Sequence, residues 1–322
     1  MAWKIKQTPD DFVVREIIQD RLEESWKEKV KSLHGKRSGG DGGLYLWFTM
    51  KKTNVDFFEA VDRMARALKI RPESICHAGT KDKRAVTFQT ISIRGASEDD
   101  VRKLHLAGIE FSDFRRRARP VKLGDHTGNF FEIAVRGIEE NEIKPAEIRI
   151  KKIQRDGMVN FFGEQRFGVE NQNHVIGMGM VKGDEKTIRN HENEPKTLRM
   201  LYVHAYQSWL WNETARKLPR SDIWVPVVGY QTRLDDYPES SAVIREILEK
   251  EGVAPKDFRI RAFRDMSCRG EDRRLVVRPS GLSYSFAKDE MHPGKFRLLL
   301  KFGLPKGSYA TELVKQIAPE NP

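Results

Sequence analysis

The run His77-Ala78-Gly79-Thr80-Lys81-Asp82-Lys83-Arg84 sets one carboxylate, Asp82, among three cations, directly ahead of a strand-like stretch from Ala85 to Gln89. Neighbouring lysines and an arginine favour the ionised carboxylate, the form that acts as a nucleophile or a base. In a basic protein that binds a polyanion, an acid inside the cationic surface weakens the attraction unless it does chemistry there. A charged turn in which Asp82 only satisfies backbone amides is the other reading, and for this segment alone the commoner one.

Two further segments carry chemical character. Residues 115–122 hold the densest positive charge, with Arg115, Arg116, Arg117 and Arg119 able to lie along a phosphate backbone; a solvated loop without a ligand is the alternative. The stretch from Gly157 to Gly168 interleaves three phenylalanines with glycines around Asn160, Gln165 and Arg166. Such a turn lets backbone pass close to a ligand, with the amides and Arg166 orienting an extruded base or a phosphate. A packed glycine–aromatic corner accounts for it equally well. Phe131 shares a strand face with Ile133 and Val135, which makes it core, yet near the strand's end it also suits stacking on a base.

The remaining chain narrows the choice. Lys+Arg total 58 against 47 Asp+Glu, a net charge of +11, which favours nucleic acid or an anionic membrane surface as partner. No apolar run approaches the roughly 20 residues that span a bilayer; no membrane partner is expected. The N-terminus lacks the apolar core of a secretion signal. Two cysteines, Cys76 and Cys268, build neither a disulfide framework nor a zinc cluster, which fits a reducing cytoplasm. There is no phosphate loop, nucleophile elbow, H-E-x-x-H or C-x-x-C, so neither metal nor cofactor is expected.

The elements that position these residues follow from periodicity. Strands are expected over 12–18, 44–50, 85–94, 129–136 and 296–302, the second apolar on both faces and hence interior to a sheet. In the third, the alternation slips between Thr90 and Ile91, which points to a bulge. Asn54 or Asp56 caps a helix with a stripe of Phe57, Val61, Met64, Ala65 and Leu68. A short helix is expected at 99–106, one bracketed by Pro145 and Gly157, and a long one over 198–217 ended by Pro219. Ser308 is expected to cap a final helix running through Ile317. Residues 27–43, charged and glycine-rich, read as a flexible loop, and 181–199 as a loop or peripheral element. Irregular alternation of strands and helices makes the fold class α+β, with a mixed or largely antiparallel sheet.

Taken together, the ordered motifs resemble the tRNA pseudouridine synthase D (TruD) family. K-x-x-P-x-D-F-x-V-x-E is met by Lys6, Pro9, Asp11, Phe12, Val14 and Glu16. A-G-x-K-D-(K/R)-x-A-V-T-x-Q is met by Ala78, Gly79, Lys81, Asp82, Lys83, Ala85, Val86, Thr87 and Gln89. L-G-x-x-x-G-N-x-F appears as Leu123, Gly124, Gly128, Asn129 and Phe131, N-(Y/F)-F-G-x-Q-R-F-G as Asn160 to Gly168, and L-P-x-G-S-(Y/F)-A-T as Leu304 to Thr311. Thr80 stands where bacterial members vary and Phe161 where tyrosine is frequent. The stretch from Gly168 to about Arg274 aligns least.

The resemblance implies a pseudouridine synthase catalytic domain at 1–156 and 275–322, with a smaller α/β TRUD domain inserted at 157–274, the two flanking a cleft for RNA. It implies isomerisation of uridine to pseudouridine in tRNA, at nucleotide 13, with Asp82 as the catalytic aspartate. Lys6, Asn129 and Phe131 then line the pocket, and Phe12, Lys81, Asn160, Gln165 and Arg166 join them at the substrate. No cofactor is implied for such a reaction. The partner is tRNA, no protein partner is implied, and a cytoplasmic monomer is expected. A non-catalytic RNA-binding module and a nuclease or deaminase are the rivals; the first leaves Asp82 without a role and the second needs a metal set or a nucleophile–base pair.

Overall fold

The computed structural model describes residues 3–18, 43–263 and 266–319. The glycine-rich loop expected at 27–43 therefore lies, up to residue 42, outside the described residues. The strands in chain order are β1 Phe12–Ile18, β2 Tyr45–Thr53, β3 Ile75–His77, β4 Val86–Arg94, β5 Ile109–Arg117 and β6 His126–Ile138. They continue as β7 Met158–Val159, β8 Trp224–Val227, β9 Glu271–Arg274, β10 Val276–Val277, β11 Ser280–Lys288 and β12 Phe296–Pro305. The helices are α1 Phe57–Leu68, α2 Glu98–Arg102, α3 Glu140–Asp156, α4 Asn173–Lys182, α5 Glu185–His191, α6 Lys196–Lys217, α7 Ser241–Glu251 and α8 Ala310–Ile317.

The chain divides into two units, one of 1–149, 279–307 and 318–322, the other of 150–278 with Ser308–Ile317. The fold is thus α+β, and α8 clusters with the second unit although the resemblance groups its sequence with the catalytic domain. The first unit is built on an eight-stranded mixed sheet in the order β11-β12-β6-β1-β4-β2-β5, with β3 paired to β4. Among the described strands of this sheet, only β1 and β4 run parallel.

Local chemistry explains the elements that matter. Asp56 caps α1 by accepting from the amides of Phe58 and Glu59, and Lys69 ends it in a left-handed turn. The stripe Phe57, Ala60, Val61, Met64 and Ala65 is buried against Leu46, Phe48, Met50, Ile91 and Ile93 of the sheet. The bulge expected at Thr90/Ile91 is absent: β2 and β4 pair without a shift, Thr49 opposite Thr90 and Phe48 opposite Ile91. The core-facing positions of β4 are Thr87, Gln89, Ile91 and Ile93, all buried. The face does not slip; it changes from polar to apolar. Residues 115–117, expected as a basic segment along a phosphate backbone or a solvated loop and not as a strand, end the edge strand β5, whose residues are largely exposed or half-buried and so show little period-two signal. Ser308 does not cap the last helix, which starts at Ala310, and its buried Oγ has no hydrogen-bond partner among the described residues.

Arg136 is a buried cation at the centre of this unit. Its guanidinium holds Asp11 at 2.8 Å and Asp289 at 3.0 Å, both carboxylates being buried, and the half-exposed Glu290 at 3.1 Å. The bonds to Asp11 hold the Arg136 pKa well above the ordinary arginine range against the opposing effect of burial. Burial pushes the Asp289 carboxyl upward, but the amides of Gly137 and Met291 together with Arg136 win and hold it below the usual carboxylate range.

The second unit is organised on α6, whose Tyr206, Leu210 and Trp211 are buried with Val225, Phe258 and Met266. Gly177 of α4 sits where a Cβ would come within 2.0 Å of the Tyr202 carbonyl oxygen, so the two helices meet backbone to backbone. Within 181–199, expected as a loop or peripheral element, the short helix α5 forms and α6 begins.

Replacing Arg136 by Met strands two buried carboxylates and is expected to destabilise the protein by about 3–5 kcal/mol at neutral pH, read by urea unfolding. Because the folded-state pKa of Asp289 is depressed, its stabilisation is present above the unfolded value of 3.8 and lost as pH falls through the folded one. The gap between wild type and R136M should therefore narrow on acidification below about pH 4.

Candidate active site

Residues 78–85 contain no helix or strand, so their backbone groups need partners from elsewhere. Those partners are buried polar side chains at core positions of the sheet. Gln89 donates through Nε2 to the Gly79 carbonyl at 2.9 Å. Lys52, fully buried, donates through Nζ to the Asp82 carbonyl at 2.6 Å. Glu16 takes the Lys81 ammonium on Oε1 at 2.6 Å and the Thr90 amide on Oε2 at 3.0 Å. The Gly124 amide donates to the Ala78 carbonyl, against which His126 Nδ1 also lies at 3.1 Å. Burial, and then the Lys81 charge, push the His126 pKa below its ordinary value.

The register brings these groups together. Val14 pairs with Thr87 on one side and Phe131 on the other, Lys52 pairs with Thr87, and Asn129 lies between Glu16 and Leu304. Side chains at directly paired positions share a sheet face. Lys52, Thr87, Gln89, Glu16, Asn129, Phe131 and Phe12 therefore occupy one face, the face that is apolar farther along β2 and β4.

Above it, Lys6 Nζ meets Asp82 Oδ2 at 2.6 Å, and the same ammonium stands 4.2 Å from the centroid of Phe12. The Asp82 side chain keeps 37% of its exposure, so part of it remains accessible to an incoming group. Lys6 has a φ of 57°, a left-handed conformation that costs a non-glycine residue about 1 kcal/mol. The flanking residues hold it there: Lys4 exchanges two backbone bonds with Arg136, and Trp3, buried, donates to Glu142. Phe131 packs edge-on against Phe12 and stacks on Phe302, and little of it is exposed. The Oδ1 of Asn129 is buried with no hydrogen-bond partner among the described residues, an acceptor poised for a ligand donor. Gly128 admits this packing, since a Cβ there would lie 2.4 Å from the Leu304 carbonyl oxygen.

The other expected site residues lie differently. Lys81 points to the buried Glu16 rather than outward. Arg115, Arg116 and Arg117 end the edge strand β5, half-buried. Arg115 and Arg119 both lie 5.5 Å from the Trp47 ring, Arg116 donates to the Ala96 carbonyl, and Arg119 pairs with Asp125 at 2.6 Å. Asn160, Gln165 and Arg166 belong to the second unit. There Asn160 is buried: its Oδ1 accepts from Arg273 at 2.9 Å and its Nδ2 donates to the Arg274 carbonyl. Arg273 also covers the Phe162 ring at 3.9 Å, and burial lowers its pKa to about 10. Arg166 donates to Ser208, and Gln165 is exposed. Arg166 and Ser208 line a 290 Å³ cleft together with His204, Arg269 and Glu271.

Sequence reasoning missed Lys52 as a site residue and gave Glu16, Thr87 and Gln89 no structural role. The signal was present in strand parity. Leu46, Phe48, Met50 and Lys52 alternate on the core side of β2, so the lysine stands where an apolar residue is due.

The family model described as tRNA pseudouridine synthase D (TruD) matches residues 1–191 and 217–317. A Methanosarcina mazei protein named "Probable tRNA pseudouridine synthase D" is 27% identical, the alignment covering 100% of this chain and 94% of the relative. The tRNA pseudouridine synthase D of Geobacter metallireducens is likewise 27% identical, over 97% of this chain and 94% of its own. A crystal structure of a Methanosarcina mazei protein described by the same family name superposes with a TM-score of 0.73 at 24% identity, over 98% of this chain and 93% of that one, which establishes the shared fold.

The buried Glu16–Lys81 pair yields a test of how the loop is held. Glu16→Gln leaves a nearly buried ammonium uncompensated and is expected to destabilise the protein by about 3–5 kcal/mol. The double variant E16Q/K81M should recover much of that loss, so a double-mutant cycle in urea should give a coupling energy well above the scatter of additive sites.

Proposed function

The chain belongs to the tRNA pseudouridine synthase D family, and we propose that it converts uridine to pseudouridine in tRNA, at nucleotide 13, with Asp82 as the catalytic carboxylate. The observation that carries this reading is the 2.6 Å Lys6–Asp82 contact on a loop whose backbone is pinned by buried side chains. An irregular loop held this way presents its carboxylate in one orientation, which is what attack on a sugar requires. The first unit serves as the catalytic domain and the second as the inserted TRUD domain.

A stacked, paired uridine is out of reach, so the nucleotide is extruded at a cost of a few kcal/mol. Phe12 and Phe131 supply an apolar floor for the base, and Asn129 Oδ1 accepts from the uracil N3–H, the donor that distinguishes uracil from cytosine. Asp82 then breaks the N1–C1′ bond, either by attacking C1′ or by taking the 2′ proton. The freed uracil turns and rejoins through C5. The C5 proton is lost and N1 gains one, so the reaction balances as an isomerisation with no second substrate and no redox partner. Lys6 holds the carboxylate in place through a charge-assisted hydrogen bond. Arg115, Arg117 and their neighbours bind phosphates of the tRNA, with Arg116 and Arg119 also bracing the segment internally.

Asp82→Ala is expected to bind unmodified tRNA transcript with near-native affinity while its single-turnover rate falls by at least about 10²–10⁴-fold. Carbodiimide-block primer extension across the transcript reads both the loss and the modified position. A native rate in D82A removes the aspartate from the mechanism, and a stop elsewhere than nucleotide 13 corrects the assigned position. Charge reversal at Arg115 and Arg117 should lower affinity and reduce the slope of log K against log salt by roughly 0.7–0.9 for each phosphate no longer neutralised. An unchanged slope in a folded variant places the phosphate path elsewhere.

A further inference from the structure

We propose that Lys52 is a positioning residue for this reaction: its ammonium group fixes the main chain at Asp82 and so sets the aim of the carboxylate. The inference rests on Asp82 being the catalytic group and goes one layer beneath it. Lys52 is the last residue but one of β2, and it has no solvent exposure at all. Lysine is almost never fully buried without partners, because its ammonium loses hydration that only strong bonds replace. Here the partners are two carbonyl oxygens from separate segments, Asp82 at 2.6 Å and Val55 at 3.0 Å.

Those segments are the two that must stay in register for the site to exist. Val55 lies in the connection from β2 to α1, where Asn54 turns through a left-handed φ of 55° and donates its amide to the Ala85 carbonyl. The Asp82 carbonyl belongs to the middle of the irregular loop and Ala85 to its end. One lysine therefore ties the loop's centre to the same turn that holds its exit. The charged groups facing the ammonium are Asp56 at the start of α1 and Asp82 and Lys81 on the loop. Burial pushes its pKa down to about 8 while the two aspartates oppose the shift, so at neutral pH the group keeps its charge and all three donors.

The arrangement divides the work between two lysines. Lys6 holds the Asp82 carboxylate, and Lys52 holds the backbone oxygen of the same residue from the buried side. A side chain that only filled space would be replaced by Met, of similar length and apolar, without kinetic consequence. A positioning role predicts a different pattern, because a small misplacement of a reacting group lowers the chemical step far more than binding.

The test compares wild type, K52M and K52R on unmodified tRNA transcript, measuring affinity, single-turnover rate at saturating protein and thermal midpoint. K52M is expected to bind within about threefold of wild type while its rate falls by about 100-fold or more. K52R, which keeps a charged donor for both carbonyls, should recover at least tenfold of that loss. A folded K52M converting tRNA at the wild-type rate overturns the proposal, as does one whose loss lies in binding alone. A folded K52R as slow as K52M overturns it too. Should K52M fail to fold, K52Q takes its place with the same expectations, and unfolding of both overturns the proposal by assigning Lys52 to scaffold stability. Absence of product from the wild-type protein overturns the proposed reaction and this role with it, whereas a native rate in K52M overturns the role alone.

Discussion

The buried guanidinium of Arg136 is the constraint on which the sheet face beneath the 78–85 loop depends. It joins Asp11, in the turn that leads into β1, to Asp289, just past the end of β11, and its own backbone pairs with Lys4. Desolvating three charges consumes most of the attraction between them, so such a cluster contributes little net stability compared with an apolar core. Its value lies in geometry. A guanidinium donates to carboxylates only in its own plane, and that requirement fixes the path of residues 4–11 relative to the sheet. Lys6 is carried on that path, in a left-handed conformation that an untethered chain would relax.

The second constraint is strand parity. Core positions of β2 and β4 are apolar over Leu46, Phe48, Met50, Ile91 and Ile93, then become Lys52, Thr87 and Gln89 without leaving the core-facing side. The paired strands continue the polar patch with Glu16 and Asn129. At one end, then, the sheet gives up hydrophobic burial and uses the same positions to bind backbone and side-chain groups of the 78–85 loop. Buried polar groups are tolerated only when paired. Glu16, Gln89 and Lys52 are paired with that loop, whereas Asn129 Oδ1 is left without a partner among the described residues.

Much of this was legible in the sequence where a local rule sufficed. The Asp56 cap and the stripe of α1, the strands at 12–18 and 129–136 and the long helix α6 follow from capping and periodicity, and the structure shows them. The misses share a cause. The supposed bulge at Thr90/Ile91 arose from assuming that a core face must be apolar throughout, which fails where the face turns into a site. β5 escaped because an edge strand with a partly wetted surface has no sharp alternation. Ser308 had the right chemistry for a cap, but the helix begins two residues later. Lys52 lay past the strand expected to end at Met50, where the pair Lys51-Lys52 reads as a solvated end unless the partner strand and the loop above it are known.

The spacing within the motifs has physical reasons. Lys6 and Glu16 stand at the two ends of one anchored segment because they hold adjacent residues of the loop, Asp82 and Lys81, one at the open side and one inside the fold. Gln89 follows Gly79 by ten residues because the chain must leave the sheet, turn through Asp82 and return along β4 before its side chain can reach back to the Gly79 carbonyl. Gly124 supplies an amide to Ala78, and Gly128 lets β6 and β12 approach beside Asn129. Lys6 acts on the carboxylate itself, whereas Glu16, Lys52 and Gln89 act on the loop that carries it. An irregular loop with no ladder of its own has no other means of holding a reactive group steady. A carboxylate carried on such a loop therefore needs an interior that is polar beneath it, and the sequence meets that need with Glu16, Lys52 and Gln89, drawn from β1, β2 and β4.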